Sequence, residues 1–302
     1  MKSGRYALTV GDETYEIAMA LIDHPEPTCP FVVLYDFIGL DSVSRNPLEW
    51  LGVYLFNRVW AKPPTTFDVL FLGELEDIAD RPFGPFLPNR RAFAARNLTT
   101  VGYPLPFDPA TLADRATLRT ELGYGPEPLV FVTVGGTAIG KELLERCAEA
   151  FPLALERVPL LRIVLVCGPR LSLDTVAAGE GLEIRGYVAD LYRHLAACDF
   201  AVAQAGGTTT LELTALRAPF LFFPSEDHAE QLIDVTGRLH RHGAGEEMRL
   251  RDTSAADLAA RICEGLGRTV DYPAIPVDGA QRAAAFLTAR LEGQVRKQTA
   301  RA

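Results

Sequence analysis

Two apolar patterns alternate along the chain. Short unbroken apolar runs bounded by Gly, Pro or Asp predict buried strands, and between them apolar positions recur at helical spacing. In the first hundred residues strands are expected at 5–10 (RYALTV), Phe31–Tyr35, Asp68–Leu72 and Leu98–Gly102. A helix started by Gly11-Asp12-Glu13-Thr14 runs to about Asp23, and a second covers 48–60. Pro104, Pro106 and Pro109 break this alternation; a polar helix around Ala113–Leu122 and the stretch GYGPEP follow, which reads as a linker. From Leu129 the alternation restarts, with strands expected at 129–134, 161–166, 182–188, 200–204, 219–223 and 248–250. Leu143, Leu144, Cys147, Ala148 and Phe151 share one helical face, as in a helix that covers a sheet. A last helix spans about Gly279–Glu292, after a proline-containing loop at 273–276. Strand-helix alternation implies parallel sheets. The expected organisation is an α/β unit at 1–107, a linker at 108–126, a doubly wound unit at 127–276, and a C-terminal helix and tail at 277–302.

Composition narrows the classes. With 48% hydrophobic and 23% charged residues, 302 residues suffice for two packed cores. A net charge of −9 argues against nucleic acid as a partner, which would need a basic face. Five widely spaced cysteines without a Cys-x-x-Cys pair read as reduced core residues of a cytosolic protein. No apolar run approaches a membrane span. The stretch LEWLGVYLFNRVW, 48–60, is the one candidate for peripheral contact with a membrane or lipid acceptor; the favoured reading is a helix buried in a domain core, because it is apolar nearly all round.

The chemistry concentrates at 199–231, DFAVAQAGGTTTLELTALRAPFLFFPSEDHAEQ. A strand ends in Gly206-Gly207, and Thr208-Thr209-Thr210 open a helix, a turn suited to an anion: glycines admit close backbone approach, and the first amides and the helix dipole favour negative charge. Glu212 has two readings. Thr209-x-x-Glu212 matches a capping box, which needs no ligand; alternatively Glu212 accepts hydrogen bonds from a ribose diol. The next strand feeds a polar loop with His228, Glu230 and Gln231, so two strand ends gather an amide nest, a carboxylate and an amide side chain on one sheet edge, where open α/β sheets bind ligands. Val134-Gly135-Gly136-Thr137-Ala138-Ile139-Gly140-Lys141-Glu142 superficially matches a nucleotide phosphate loop, but Glu142 replaces the hydroxyl that would ligate magnesium, which argues against a triphosphatase; a glycine turn touching a diphosphate and a tight turn without ligand both stay open for this loop. The five histidines show no metal spacing and are expected mostly at the surface, with His228 set apart by its position; no Asp-x-Asp is present. No cofactor is expected.

These motifs resemble the GT-B glycosyltransferases, in the branch that adds N-acetylglucosamine to lipid-linked peptidoglycan precursor. The resemblance covers roughly 127–270: GGTAIG at 135–140, GYVADLYRHLAACD at 186–199, AGGTTTLE at 205–212 and PSEDHAEQ at 224–231. It implies two Rossmann-like domains, donor on the second and acceptor on the first. It further implies that Gly135, Gly136 and Thr137 face the diphosphate, that the Val188 backbone pairs with uracil, and that Gly206, Gly207, Thr208 and Thr209 bind phosphate. Glu212 would hold the ribose hydroxyls, and Glu230 and Gln231 the sugar; His228 is a candidate for the same site by its position in that loop, not by the resemblance. The first domain departs from the family: the opening strand, glycine loop and histidine base have no counterpart, and RYALTVGDE looks like the middle of that domain, where relatives place an aspartate that orients the histidine. Asp12 falls there; its plain alternative is a helix N-cap.

The reading is a metal-independent glycosyltransferase with an incomplete N-terminal domain, moving sugar from a UDP-sugar to an unidentified lipid-linked or small-molecule hydroxyl acceptor, in the cytoplasm or peripheral to the inner membrane face. Two alternatives stay open, a non-catalytic donor-binding subunit of a split enzyme and a sugar-nucleotide 2-epimerase-like enzyme. An incomplete first sheet would also expose an edge to a partner chain or to self-association.

Overall fold

A computed structural model describes residues 6–23, 29–136, 140–176, 179 and 181–299. The chain divides into two units, 1–105 with 276–302, and 106–275.

The first unit carries β1 (Thr9–Asp12), α1 (Tyr15–Asp23), β2 (Phe31–Tyr35), α2 (Pro47–Trp60), β3 (Asp68–Phe71), α3 (Arg90–Asn97), β4 (Thr99–Thr100) and, from the far end of the chain, α10 (Gly279–Thr299). Its sheet has order β1-β2-β3-β4, all parallel. Alternate strand residues separate the faces: Phe31, Val33, Val69 and Phe71 pack with Leu21, Trp60 and Phe93, whereas Val32, Leu70 and Val101 pack with Ala283, Phe286 and Leu287 of α10. Arg290 of α10 also pairs with Asp68. The first strand starts later than 5–10 and runs on to Asp12.

The expectation that 48–60 is a buried helix is overturned. Only Asn57 and Trp60 of α2 are buried, while Leu48, Trp50, Leu51 and Leu55 are 50–77% exposed. Leu48, Leu51 and Leu55 lie on one helical face, and α2 packs through the opposite one: Phe56 and Trp60 stack edge-on to Tyr15. Asn57 Nδ2 donates to Leu40 O and Phe83 O, and its Oδ1 accepts from Leu40 N, each at 2.8 Å.

The second unit carries α4 (Arg115–Leu122), β5 (Leu129–Thr133), α5 (Lys141–Arg157), β6 (Arg162–Val166), β7 (Leu182–Arg185), α6 (Leu191–Ala197), β8 (Phe200–Gln204), α7 (Gly207–Ala215), β9 (Phe220–Phe223), α8 (Thr236–His242), β10 (Glu246–Glu247) and α9 (Ala255–Gly265), with a π-helical turn at Glu230–Val235. The parallel sheet has order β10-β9-β8-β5-β6-β7. The first strand lies at the centre, and the winding reverses between β5 and β8, the place where such sheets bind nucleotides. Strands buried on both faces read as unbroken apolar runs. Val130, Val132, Phe200 and Val202 pack with α5 and α9, and Leu129, Phe131, Ala201 and Ala203 with α4, α6 and α8.

The segment 108–126, read as a linker, is part of this unit. Leu118 and Tyr124 enter its core, and Arg115 and Arg119 pair with Asp199 at 3.0 and 2.6 Å. The strand expected at 248–250 lies two residues earlier, at Glu246–Glu247, and Leu250–Asp252 forms a 3-10 turn. Three cysteines are buried and two half-buried, all free. Two histidines expected at the surface are buried, His194 and His242; His24 lies outside the described residues. His194 Nδ1 meets Tyr124 Oη at 2.6 Å, and burial followed by the Arg185 and Arg193 charges depresses its pKa to about 4.

Removal of the Asn57 side chain strands three backbone groups, so Asn57→Leu should cost about 2–4 kcal/mol in chemical denaturation. Leu51→Ser, on the exposed face of the same helix, should cost no more than about 0.5 kcal/mol. Comparable losses in the two variants would contradict the outward face of α2.

Candidate functional site

At the carboxyl edge of the second sheet, a pocket of about 400 Å³ opens over the switch point between β5 and β8. One wall comes from the ends of β5 and β6, with Thr133, Gly135, Gly136, Val166, Gly168 and Pro169; the loop after β7 supplies Tyr187, Val188, Asp190 and Leu191, and α7 supplies Thr208, Thr209 and Glu212. Pro106 and Tyr192 complete it, Tyr192 stacked on Phe107 with ring centroids 4.5 Å apart. Gly135 has φ +71°, a conformation that favours glycine, and a Cβ on Gly168 would meet Gly135 O at 2.2 Å, so the two glycine turns approach as only bare backbone can. At Gly136 and Gly206 an added Cβ would meet nothing within 4 Å among the described residues, so the backbone is uncovered at both.

The start of α7 is uncapped. Gly206 occupies the N-cap with φ −76° and ψ 136° and offers no side chain. Thr210 N and Oγ1 both bond Gly206 O, at 3.2 and 2.9 Å. The amides of Gly207, Thr208 and Thr209 have no acceptor among the described residues, and with the dipole behind them they are able to receive an anion.

This geometry overturns the capping-box reading of Glu212. The helix begins two residues before Thr209, so Glu212 lies beyond the first turn, where no free amide is within its reach. Its side chain is 7% exposed, and burial raises its pKa to about 7. No group among the described residues donates to it. A carboxylate kept buried beside a pocket at such cost suits a ligand that supplies hydroxyl donors.

The pocket brings together six of the expected residues, Gly135, Gly136, Val188, Thr208, Thr209 and Glu212, with Gly206 and Gly207 continuous with them in the chain. Thr137 lies outside the described residues. His228, Glu230 and Gln231 do not line the pocket; they follow β9 on the same sheet edge, where His228 is exposed. Asp12 belongs to the other unit, exposed at the end of β1. In the same unit Asp36 Oδ1 is buried with no hydrogen-bond partner among the described residues, and burial, then the Glu13 and Asp36 charges, push the Tyr15 phenol well above its usual range. Lys141, the lysine of the apparent phosphate loop, pairs with Glu145 one turn along α5 at 2.8 Å and does not line the pocket. Sequence reasoning missed Gly168, Tyr187, Asp190 and Tyr192 on the pocket wall. The two tyrosines stand in the quoted stretch GYVADLYRHLAACD, Tyr187 in the loop after β7 and Tyr192 in the first turn of α6, where aromatic residues just beyond a strand end were the available signal.

Comparison with known proteins places this architecture. The fold is that of the GT-B glycosyltransferases: the chain superposes on the glycosyltransferase of kitacinnamycin with a TM-score of 0.55 and 15% identity, covering 96% of this chain and 73% of that one. Residues 129–268 match the glycosyltransferase family 28 C-terminal domain, which agrees with the resemblance drawn from the motifs. An uncharacterized glycosyltransferase of Methanopyrus kandleri strain AV19 is 26% identical over 190 residues, 61% of this chain and 52% of that protein. The UDP-N-acetylglucosamine–N-acetylmuramyl-(pentapeptide) pyrophosphoryl-undecaprenol N-acetylglucosamine transferase of Carboxydothermus hydrogenoformans is 28% identical over 179 residues, 57% of this chain and 48% of that protein. The chain thus spans about half the length of these relatives.

Glu212 should mark the pH dependence of stability. With a folded pKa near 7 against 4.5 for the unfolded chain, the native state holds a proton at this site that the unfolded chain has already lost between those values. Stability should therefore be unaffected by this group below about pH 4.5 and fall as pH rises to about 7, by on the order of 3 kcal/mol. Glu212→Gln should flatten that part of the profile. An unchanged profile in the variant would show that the carboxyl is not held neutral by burial.

Proposed function

We propose that the second unit binds the nucleotide of a UDP-sugar, and that the chain supplies the donor side of a metal-independent glycosyl transfer to a hydroxyl acceptor, lipid-linked or small. The observation that carries this reading is the conjunction, in one pocket at the switch point, of the acceptor-free amides of Gly207–Thr209 with the buried, unbonded Glu212. The amides, with Gly135 and Gly136 opposite, match a diphosphate; Glu212 matches the ribose diol; the Val188 backbone and the Tyr187 ring beside it match a base.

In this reading the acceptor oxygen attacks the anomeric carbon, the bond from that carbon to the β-phosphate oxygen breaks, and UDP leaves with the electron pair. Negative charge grows on the β-phosphate as the bond breaks. Amides and the α7 dipole already face that position, so stabilisation there requires no reorganisation and favours the transition state over the bound donor. Asp12, or the adjacent Glu13, receives the acceptor proton or orients the group that does. Gln231 and Glu230 meet the sugar, and His228 lies beside them.

UDP should bind in the presence of EDTA, as measured by calorimetry, because amides and the helix dipole compensate the diphosphate charge. Glu212→Gln removes a charged acceptor worth ~1.5–3 kcal/mol, so the affinity should fall roughly ten- to a hundredfold. Binding that needs magnesium, or equal affinity in wild type and Glu212→Gln, would count against the reading. Ribose hydroxyls favour the ionised carboxyl, so UDP binding near pH 6 should also release a proton, seen as an observed enthalpy that varies with the ionisation enthalpy of the buffer.

A further inference from the structure

We infer that Gln204, at the carboxyl end of β8, is a positioning residue that locks the amide of Gln231 so that it offers only N–H donors to the donor sugar. Gln204 is buried, 7% exposed, two residues before Gly206. Its Nε2 donates to Phe223 O at 2.8 Å and to Gln231 Oε1 at 3.0 Å, which uses both of its hydrogens. Gln231 Oε1 also accepts from Ser225 N at 3.0 Å. A backbone carbonyl can only accept and a backbone N–H can only donate, so Phe223 and Ser225 between them settle which end of each side-chain amide is oxygen. Both lone pairs of Gln231 Oε1 are taken, and no described group accepts from its Nε2.

The backbone at Gln231 is held as well. It lies in the first turn of the π-helical segment Glu230–Val235, with Gln231 O accepting from Thr236 Oγ1 at 2.8 Å. Single π-helical turns recur at functional sites. A glutamine free to flip would serve donor and acceptor ligands alike; this one has lost its acceptor and keeps two donors. The ligand atom it suits is therefore an accepting oxygen, a hydroxyl lone pair or a carbonyl on a hexose. The inference rests on the donor-binding reading above and adds to it a residue that meets no ligand itself.

The test compares UDP with UDP-N-acetylglucosamine and UDP-glucose, the sugar increment being the ratio of Kd for UDP to Kd for the better sugar nucleotide. Gln204→Met keeps the length of the side chain and removes its donors; Gln204→Glu keeps its shape and places a carboxylate against Phe223 O and Gln231 Oε1. Both should leave the Kd for UDP within about twofold and lower the sugar increment on the order of tenfold, the equivalent of one or two hydrogen bonds. Gln231→Glu keeps the accepting oxygen and deletes only the outward donors, so it should lose the same increment, and adding Gln204→Met to it should lower the increment no further. An equal weakening of UDP and sugar-nucleotide binding in the Gln204 variants, or additive losses in the double variant, would overturn the proposal. So would an unchanged increment in Gln231→Glu, a result that holds even if the Gln204 variants do not fold, and so would a wild type that binds UDP with no sugar increment. A wild type that binds neither UDP nor a sugar nucleotide would instead refute the donor-binding reading itself.

Discussion

Three backbone amides at the start of α7, those of Gly207, Thr208 and Thr209, lack any acceptor among the described residues, and the second unit is built so that they stay that way. Gly206 at the N-cap has no side chain to satisfy them, and the hydroxyl of Thr210 turns back to Gly206 O instead. The amides can be held at one spot because β8 is a central strand, paired on both sides with β5 and β9. The glycine turns after β5 and β6 close on the other side, where Gly168 admits the carbonyl of Gly135. Unspent donor capacity at the centre of a rigid sheet is costly without a ligand and effective with one.

Glu212 shows the same economy. Its burial lifts its pKa to about 7, so at neutral pH the empty protein carries a strained ionisation that hydroxyl donors would relieve. The two features are one turn apart on one helix, and in the proposed reading they complement each other, the amides taking the diphosphate and the carboxylate the ribose diol of one nucleoside diphosphate. Stability is given up at the site and made good by the two apolar layers on either side of the sheet.

Much of this was legible in the sequence, for reasons of periodicity. Strands buried on both faces, such as β5 and β8, appear as unbroken apolar runs, and α5 shows its core face in the spacing of Leu143, Leu144, Cys147 and Phe151. The misread features are those that local pattern cannot decide. Thr-x-x-Glu fits a capping box by spacing alone, but the helix starts at Gly207, two residues before Thr209, with Gly206 at the N-cap. The 48–60 helix is apolar all round in sequence, and which side is covered depends on Tyr15 and on the loops tied to Asn57, distant in the chain. The role of α10 in covering the first sheet, the burial of α4, and the Gln204–Gln231 pair are likewise long-range pairings, invisible to spacing.

The central claim is that the amides of α7 and of the glycine turn after β5 receive a nucleoside diphosphate. Backbone amide NMR of the intact chain titrated with UDP in EDTA reads them one by one. The account predicts that the largest shifts, saturating together with the Kd from calorimetry, fall on Gly136, Gly207, Thr208 and Thr209, with smaller ones at Val188 and Glu212. Saturable UDP binding that leaves these amides unmoved, with its shifts gathered elsewhere in the chain, would contradict it.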